Sequence, residues 1–297
     1  MESLVKCPVC GNPDFKTYLN VSDYFLTREN FSIVSCDHCS FRFTNPRPDA
    51  SELGKYYESK DYISHSNTRS GLFSFVYQNI RKFTIASKYR LIKRFAKGTS
   101  ILDIGCATGE FLKYFKNRGW KTIGVEPNEK AREFAHSVNH LDVKDEEWLK
   151  TAPEQKFNIV TLWHVLEHVP AVNGRLEEIK NILKDDGYVF IAVPNADSPD
   201  ATYYKEHWAG YDVPRHLYHF TVKTMEMILT KHGFQCIEKI PMKFDSFYVS
   251  LLSEKYLQRK NHWIRAFISG IRSNVKAKRG NNYSSMIFVA KKQENFK

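Results

Sequence analysis

Ser100-Ile-Leu-Asp103-Ile-Gly105-Cys106-Ala107-Thr-Gly109-Glu-Phe-Leu112 is the stretch whose reading decides the fold. Ile101, Leu102 and Ile104 form the short apolar run of a parallel strand buried on both faces. Gly105, Ala107 and Gly109 follow at once, and small residues there let a backbone approach a ligand closely. Over residues 110–118, Phe111, Leu112 and Phe115 share one helical face, so the turn lies at a helix N-terminus with free N–H groups. Gly119 supplies the stop. Residues 121–125 read as a second strand, ending at Glu126, 23 positions after Asp103. Doubly wound folds place there a carboxylate that accepts from ribose hydroxyls.

What the turn lacks is equally informative. It is neither G-x-x-x-x-G-K-[ST] nor G-x-G-x-x-G, so a phosphate cradle and a dinucleotide site both lose ground. Asp103-x-Gly105-x-Ala107-x-Gly109 resembles motif I of the class I S-adenosylmethionine-dependent methyltransferases, and Gly124-Val-Glu126-Pro-Asn128 resembles their ribose-binding motif. The family often has glycine where Ala107 stands, and the added methyl tightens the turn. The resemblance, to the type 11, 12 and 23 groups of that family, implies an α/β fold: a Rossmann-like seven-stranded sheet of order 3-2-1-4-5-7-6. It also implies S-adenosyl-L-methionine as cofactor. Gly105, Cys106, Ala107 and Gly109 would then face its methionine part, Glu126 its ribose, and Asp145 or Glu146 its adenine, with Asp103, Trp163 and His164 completing the cofactor-binding set.

Further along, residues 129–137 read as a helix, 141–144 as a short strand and 157–162 as a buried strand. A helix over 176–183 is expected to stop at Asp185-Asp186-Gly187, before a strand over 188–193. Residues 221–233 read as a capped helix with Met225, Ile228 and Leu229 in its core stripe. Residues 234–240 and 284–290 look like the last two strands, which the resemblance makes antiparallel.

Two polar segments follow central strands, where open α/β sheets build their sites. Trp163-His164-Val-Leu-Glu167-His168 resembles the post-strand segment of the same family and also matches H-x-x-E-H, a zinc peptidase signature. The peptidase needs its ligands on one long helix; here a strand precedes and Pro170 follows, so that reading lacks its structural context. A divalent ion at His164, Glu167 and His168 stays open, because some ubiquinone-type O-methyltransferases carry acidic and histidine residues at this place. The second segment is Trp208-Ala-Gly-Tyr-Asp212-Val-Pro214-Arg215-His216-Leu-Tyr218-His219. His216 or His219 is the candidate catalytic base for a substrate hydroxyl, with an imidazole poised near neutral pH.

Cys7-Pro-Val-Cys10-Gly11 and Cys36-Asp-His38-Cys39 are paired C-x-x-C knuckles, and they read as a tetrahedral four-cysteine site for structural Zn²⁺. Residues 31–35 alternate as the strand of a zinc ribbon, and His38 is a weaker candidate ligand. The domain organisation expected is a zinc-ribbon-like module at 1–48, a helical lid or linker at 49–98 with Ser51 as a cap and a stripe from Phe75 to Phe95, and a methyltransferase domain at 99–297.

The chain of 297 residues carries a net charge of +11, and from Lys255 onward 11 Lys and Arg face the single acid Glu294. The basicity is thus local, in a helical insertion at about 250–282 where Trp263, Ile264, Phe267, Ile268, Ile271 and Val275 recur at helical spacing. A helix packed over the active site is the preferred reading; an interfacial helix on anionic lipid, giving peripheral membrane contact, is the alternative. With no apolar leader and no span long enough to cross a bilayer, a cytoplasmic protein is expected. The expected substrate is a small hydroxylated metabolite or a sugar, including a glycan or lipid precursor. An RNA methyltransferase and a non-catalytic zinc-ribbon binding protein are the alternatives.

Overall fold

The computed structural model describes residues 1–49, 51–57 and 72–293, with backbone alone over 72–80. The parts of the expected lid at 50 and 58–71 lie outside the described residues.

A four-stranded sheet is built from β1 (Phe15–Ser22), β2 (Asn30–Cys36), β3 (Arg42–Thr44) and a strand from far along the chain. Leu53–Tyr57 is a 3₁₀ turn, and its cap is Asp49 rather than Ser51: the Asp49 carboxylate accepts from the amides of Ser51 (3.0 Å) and Glu52 (3.2 Å). A long helix, α1 (Leu72–Phe95), then leads into β4 (Ser100–Ile104). There follow α2 (Glu110–Lys116), β5 (Lys121–Val125), α3 (Glu129–Ser137), the two-residue β6 (Val143–Lys144), β7 (Phe157–Trp163) and α4 (Val172–Ile182). β8 (Leu183–Pro194) begins directly after α4 and runs through Asp185-Asp186-Gly187, so those residues do not form the expected stop. The chain ends with α5 (Pro199–Tyr204), β9 (Tyr218–His219), α6 (Val222–Lys231), β10 (Phe234–Pro241), α7 (Asp245–Tyr256), α8 (His262–Ala277) and β11 (Ser285–Lys292).

The second sheet has seven strands in the order β10-β11-β8-β7-β4-β5-β6. Counting those strands 1 to 7 along the chain and reading from the β6 edge gives 3-2-1-4-5-7-6, the order expected. β4 pairs in parallel with β5 and β7, and β5 with β6. Its centre is the apolar run: Ile101 and Leu102 on β4 and Ile159, Val160 and Leu162 on β7 have no exposed surface. Burial on both faces is what the continuous apolar pattern encodes.

The chain divides into two compact units, neither continuous in sequence. One comprises Met1–Ser59, His164–Asn173 and Ile191–Val289; the other Lys60–Trp163, Gly174–Phe190 and Ala290–Lys297. In the first, the fourth strand of the cysteine module's sheet is β9, which pairs with β3 through Arg42↔His219 and Phe43↔Tyr218. Val21, Phe31 and Ile33 of the module share a core with Tyr204, Trp208 and Tyr211. The module expected at 1–48 therefore does not close its sheet or core by itself.

The basic insertion is two helices, α7 and α8, where the sequence suggested one. Their packing corrects the preferred expectation: Trp263, Ile264, Phe267, Ile268, Ile271 and Val275 are 42–63% exposed and do not pack inward.

Candidate active site

In the second unit, the turn after β4 is wound tightly. Gly105, Ala107 and Gly109 have φ of 73°, 49° and 82°, all left-handed. Glycine adopts this freely, whereas Ala107 holds it at a cost of roughly 1 kcal/mol. The amides of Gly105 (2.7 Å) and Cys106 (3.1 Å) both donate to the Val125 carbonyl, which ties the turn to the end of β5. Glu126, the next residue, is 9% exposed, and its two oxygens accept from the amides of Ala107 and Asn128, each at 2.9 Å. Asn128 in turn caps α3 by accepting from the Ala131 amide at 3.0 Å. Burial raises the Glu126 carboxyl above its usual range, against the two amides that favour its ionised form.

Asp103 sits on β4, 2% exposed, and accepts from the Thr161 hydroxyl at 2.6 Å. Burial pushes its carboxyl up to about 7, although the Thr161 bond works in the other direction. At the end of β7, Trp163 lies against Phe111 (centroids 5.6 Å apart), with the Lys88 ammonium 3.9 Å from its ring centroid. Its indole Nε1 is buried without a hydrogen-bond partner among the described residues. The two acids weighed for adenine both have local work: Asp145 caps a 3₁₀ turn through the Trp148 amide (3.1 Å), and Glu146 pairs with Arg175.

These groups fit S-adenosylmethionine. Each Glu126 oxygen spends one acceptor site on the protein, and a carboxylate has about four, so capacity remains for a pair of ribose hydroxyls.

In the first unit, His164 leaves β7 at φ 57° and bonds the Ala192 carbonyl through its amide (2.9 Å). Its Nε2 lies 3.1 Å from Asp245 and its Nδ1 3.5 Å from Glu167. Burial works against its charge, but the two carboxylates prevail and raise it to about 9. Leu166–His168 is a 3₁₀ turn, not the long helix a peptidase needs. Glu167 is 1% exposed, and neither of its oxygens has a hydrogen-bond partner among the described residues. It is nonetheless held below the usual carboxylate range: burial opposes ionisation, while His164, His216 and His168 favour it.

Glu167, His168 and His216 converge, with one ligand-capable atom from each within 4.8 Å of the others. His216 Nδ1 donates to the Gly210 carbonyl at 2.9 Å, and His168 Nδ1 lies 3.0 Å from the Arg215 carbonyl. A carbonyl only accepts, so the Gly210 bond leaves His216 Nε2 with its lone pair, while His168 Nδ1 also meets the Tyr57 hydroxyl at 2.9 Å. Burial, reinforced by the neighbouring His216, lowers His168 to about 4. Arg215 braces this region: it grips Asp212 through two bonds (3.0 and 2.7 Å) and reaches Asp23 at 2.8 Å and the Tyr56 carbonyl at 3.2 Å. His219 lies apart on β9, with its Nε2 3.1 Å from the Thr44 hydroxyl; burial and the nearby His216 and Arg42 keep it well below its ordinary value.

The four cysteines meet as the paired spacing requires. Sγ distances are 3.5 Å for Cys7–Cys39 and 3.5 Å for Cys10–Cys36, close to the edge of about 3.8 Å in a tetrahedron with Zn–S bonds of about 2.3 Å. Each knuckle closes alike: Gly11 and Ser40, both left-handed, donate to the carbonyls of Cys7 (2.8 Å) and Cys36 (2.9 Å). His38 is exposed and outside the cluster.

Sequence reasoning named Glu167 and His168 within H-x-x-E-H and His216 separately. It missed their convergence, and it missed Asp23; the only local signal for Asp23 was a turn-type Ser-Asp pair.

Fold and turn together define an S-adenosylmethionine-dependent methyltransferase domain. The chain belongs to the methyltransferase-domain family, whose model matches residues 77–239, more than half of it. Over 110 residues it is 34% identical to the ubiquinone biosynthesis O-methyltransferase of Glaesserella parasuis, a match covering 33% of this chain and 46% of that protein. The corresponding protein of Neisseria meningitidis is 31% identical over 108 residues, 33% of this chain and 45% of its own length. The chain thus spans about half the length of the curated relatives it matches. Among solved structures, phosphoethanolamine N-methyltransferase 2 of Haemonchus contortus, in complex with S-adenosyl-L-methionine, has a TM-score of 0.53 at 17% identity, covering 94% of this chain and 69% of that one. The [4+2]-cyclase SpnF also has a TM-score of 0.53, at 14% identity, covering 84% and 98%. At such identities the likeness is one of fold.

Proposed function

We propose that the chain transfers a methyl group from S-adenosylmethionine to a hydroxyl of a small molecule, a sugar or another hydroxylated metabolite. The observation that carries this is the left-handed turn at Gly105–Gly109, pinned by a buried Glu126 that keeps acceptor capacity to spare. O-methyltransferase relatives at 34% and 31% identity favour oxygen as the acceptor atom. The cofactor supplies an electrophilic methyl on a sulfonium, so the protein's part is alignment, exclusion of water and removal of one proton.

His216 is the base. Its Nδ1–H is fixed on the Gly210 carbonyl, which leaves Nε2 to accept the proton, and ionised Glu167 stabilises the imidazolium that forms. His219, bonded within its sheet and held neutral by burial, serves structure. The four cysteines hold a structural zinc, since four thiolates leave no open coordination position.

The test measures S-adenosylhomocysteine release with panels of hydroxylated acceptors and of RNA. Release with a small hydroxyl acceptor is expected, and His216→Asn should lower its rate by about 10²–10⁴-fold while leaving cofactor affinity intact. Release driven only by RNA, or a His216→Asn enzyme as fast as the wild type, contradicts the proposal.

A further inference from the structure

Helix α8 is mounted with its apolar face outward. Its buried residues are Ala266, Gly270, Ser273 and Ala277, a stripe of small side chains at spacings of four, three and four. Against that stripe α7 places Phe247 so closely that a Cβ on Gly270 would lie 2.6 Å from its ring, and Ser246 bonds the Gly270 carbonyl. The large side chains take the remaining arc: Trp263, Ile264, Phe267, Ile268, Ile271 and Val275, each 42–63% exposed. Phe244 and Tyr248, at the start of α7, are 64% and 58% exposed. A surface helix ordinarily buries its large apolar stripe, and a contiguous exposed one marks a docking face.

Charge says what docks there. At 100° per residue the apolar arc spans about 140°, and Arg265, Arg272 and Lys276 fall along one edge of it. All three are exposed, and none takes part in an ion pair among the described residues. Neither α8 nor any residue from Lys255 to Gln293 is acidic. A second copy of this chain would set one basic edge against another with no carboxylate on either helix to answer it. RNA could stack on Trp263 and Phe267, but it would leave the three isoleucines and the valine of the arc in water. An anionic bilayer answers both features: acyl chains receive the apolar arc, and lipid phosphates meet the basic edge.

We infer that α8 is an interfacial helix that docks this protein onto anionic phospholipid membranes, lying in the surface with its apolar arc down. At roughly 24 Å for 16 residues it lies on the bilayer without crossing it. This docking is independent of the methyl-transfer proposal, because it is read without any assay of catalysis.

The test is co-sedimentation of the full chain with phosphatidylcholine vesicles and with vesicles that also contain phosphatidylglycerol. Binding should be about tenfold or more tighter to the anionic vesicles and should weaken with salt. The double variant Ile264→Asp/Phe267→Asp, altered only at exposed positions, should keep its melting temperature and lose most of that binding. Arg272→Gln/Lys276→Gln should retain part of it and lose salt sensitivity. Trp263 emission should shift to the blue on binding, and Trp263→Phe should remove the shift. Equal sedimentation of wild type and the Asp double variant, absence of binding to anionic vesicles, or a concentration-dependent dimer that the same Asp variant abolishes would each overturn the inference.

Discussion

At Asp103 a carboxyl is sealed into the centre of a sheet, where it accepts from the Thr161 hydroxyl. Its pKa of about 7 in the folded chain, against an ordinary 3.8, means that the folded state holds its proton more tightly than the unfolded chain does. Stability attributable to this group therefore falls as pH rises from about 4 to about 7 and is level beyond, a loss on the order of 4 kcal/mol. Asp103→Asn removes the ionisation, so its melting temperature without cofactor should change less between pH 5 and pH 8 than that of the wild type. Identical pH dependence in the two proteins would contradict this placement. The residue scale is also where reading the sequence was least complete. Asp103, Gly105, Gly109 and Glu126 were legible because they lie within one strand-turn-helix-strand run whose local pattern fixes their geometry. Glu167, His168 and His216 were named without being joined, and the Asp23–Arg215 bond, 192 residues apart in the chain, left no trace in any local pattern.

Among elements, β4, β5, α2, α3 and β7 fall within a residue or two of the expected bounds, because period and capping residues carry that information. The failures have particular causes. Asp185-Asp186-Gly187 looks like a helix stop, but it lies within β8, where the inter-strand ladder overrides turn propensity. Strand β9 is two residues long, too short for any period to show. Helix α8 has the expected period, yet periodicity gives the arc and not the side from which it is covered. The cysteine module gives a prediction at this scale. Its third strand is three residues long and its knuckles are held by two turn bonds each, so a bound metal should supply much of its order. The purified protein should carry about one zinc per chain. Removal by a strong chelator should lower the melting temperature, and Cys36→Ser should reproduce the effect in untreated protein. A metal-free protein whose melting ignores the chelator would refute the zinc assignment.

Across the whole molecule, sheet order was legible because one recognised turn fixes β4, β5 and β7 as neighbours, and the remainder follows from a fold with few connections. The division into units was not, since each gathers segments from several parts of the chain. No helix among the described residues is long and apolar enough to cross a membrane. The central claim is that the turn and Glu126 bind S-adenosylmethionine, and calorimetric titration of the cofactor into wild type and Glu126→Ala tests it most directly. The account predicts micromolar affinity, about −8 kcal/mol, for the wild type and a loss of tenfold or more, about 1.4 kcal/mol or above, for the variant. No binding heat in the wild type, or equal affinity in both proteins, would contradict it.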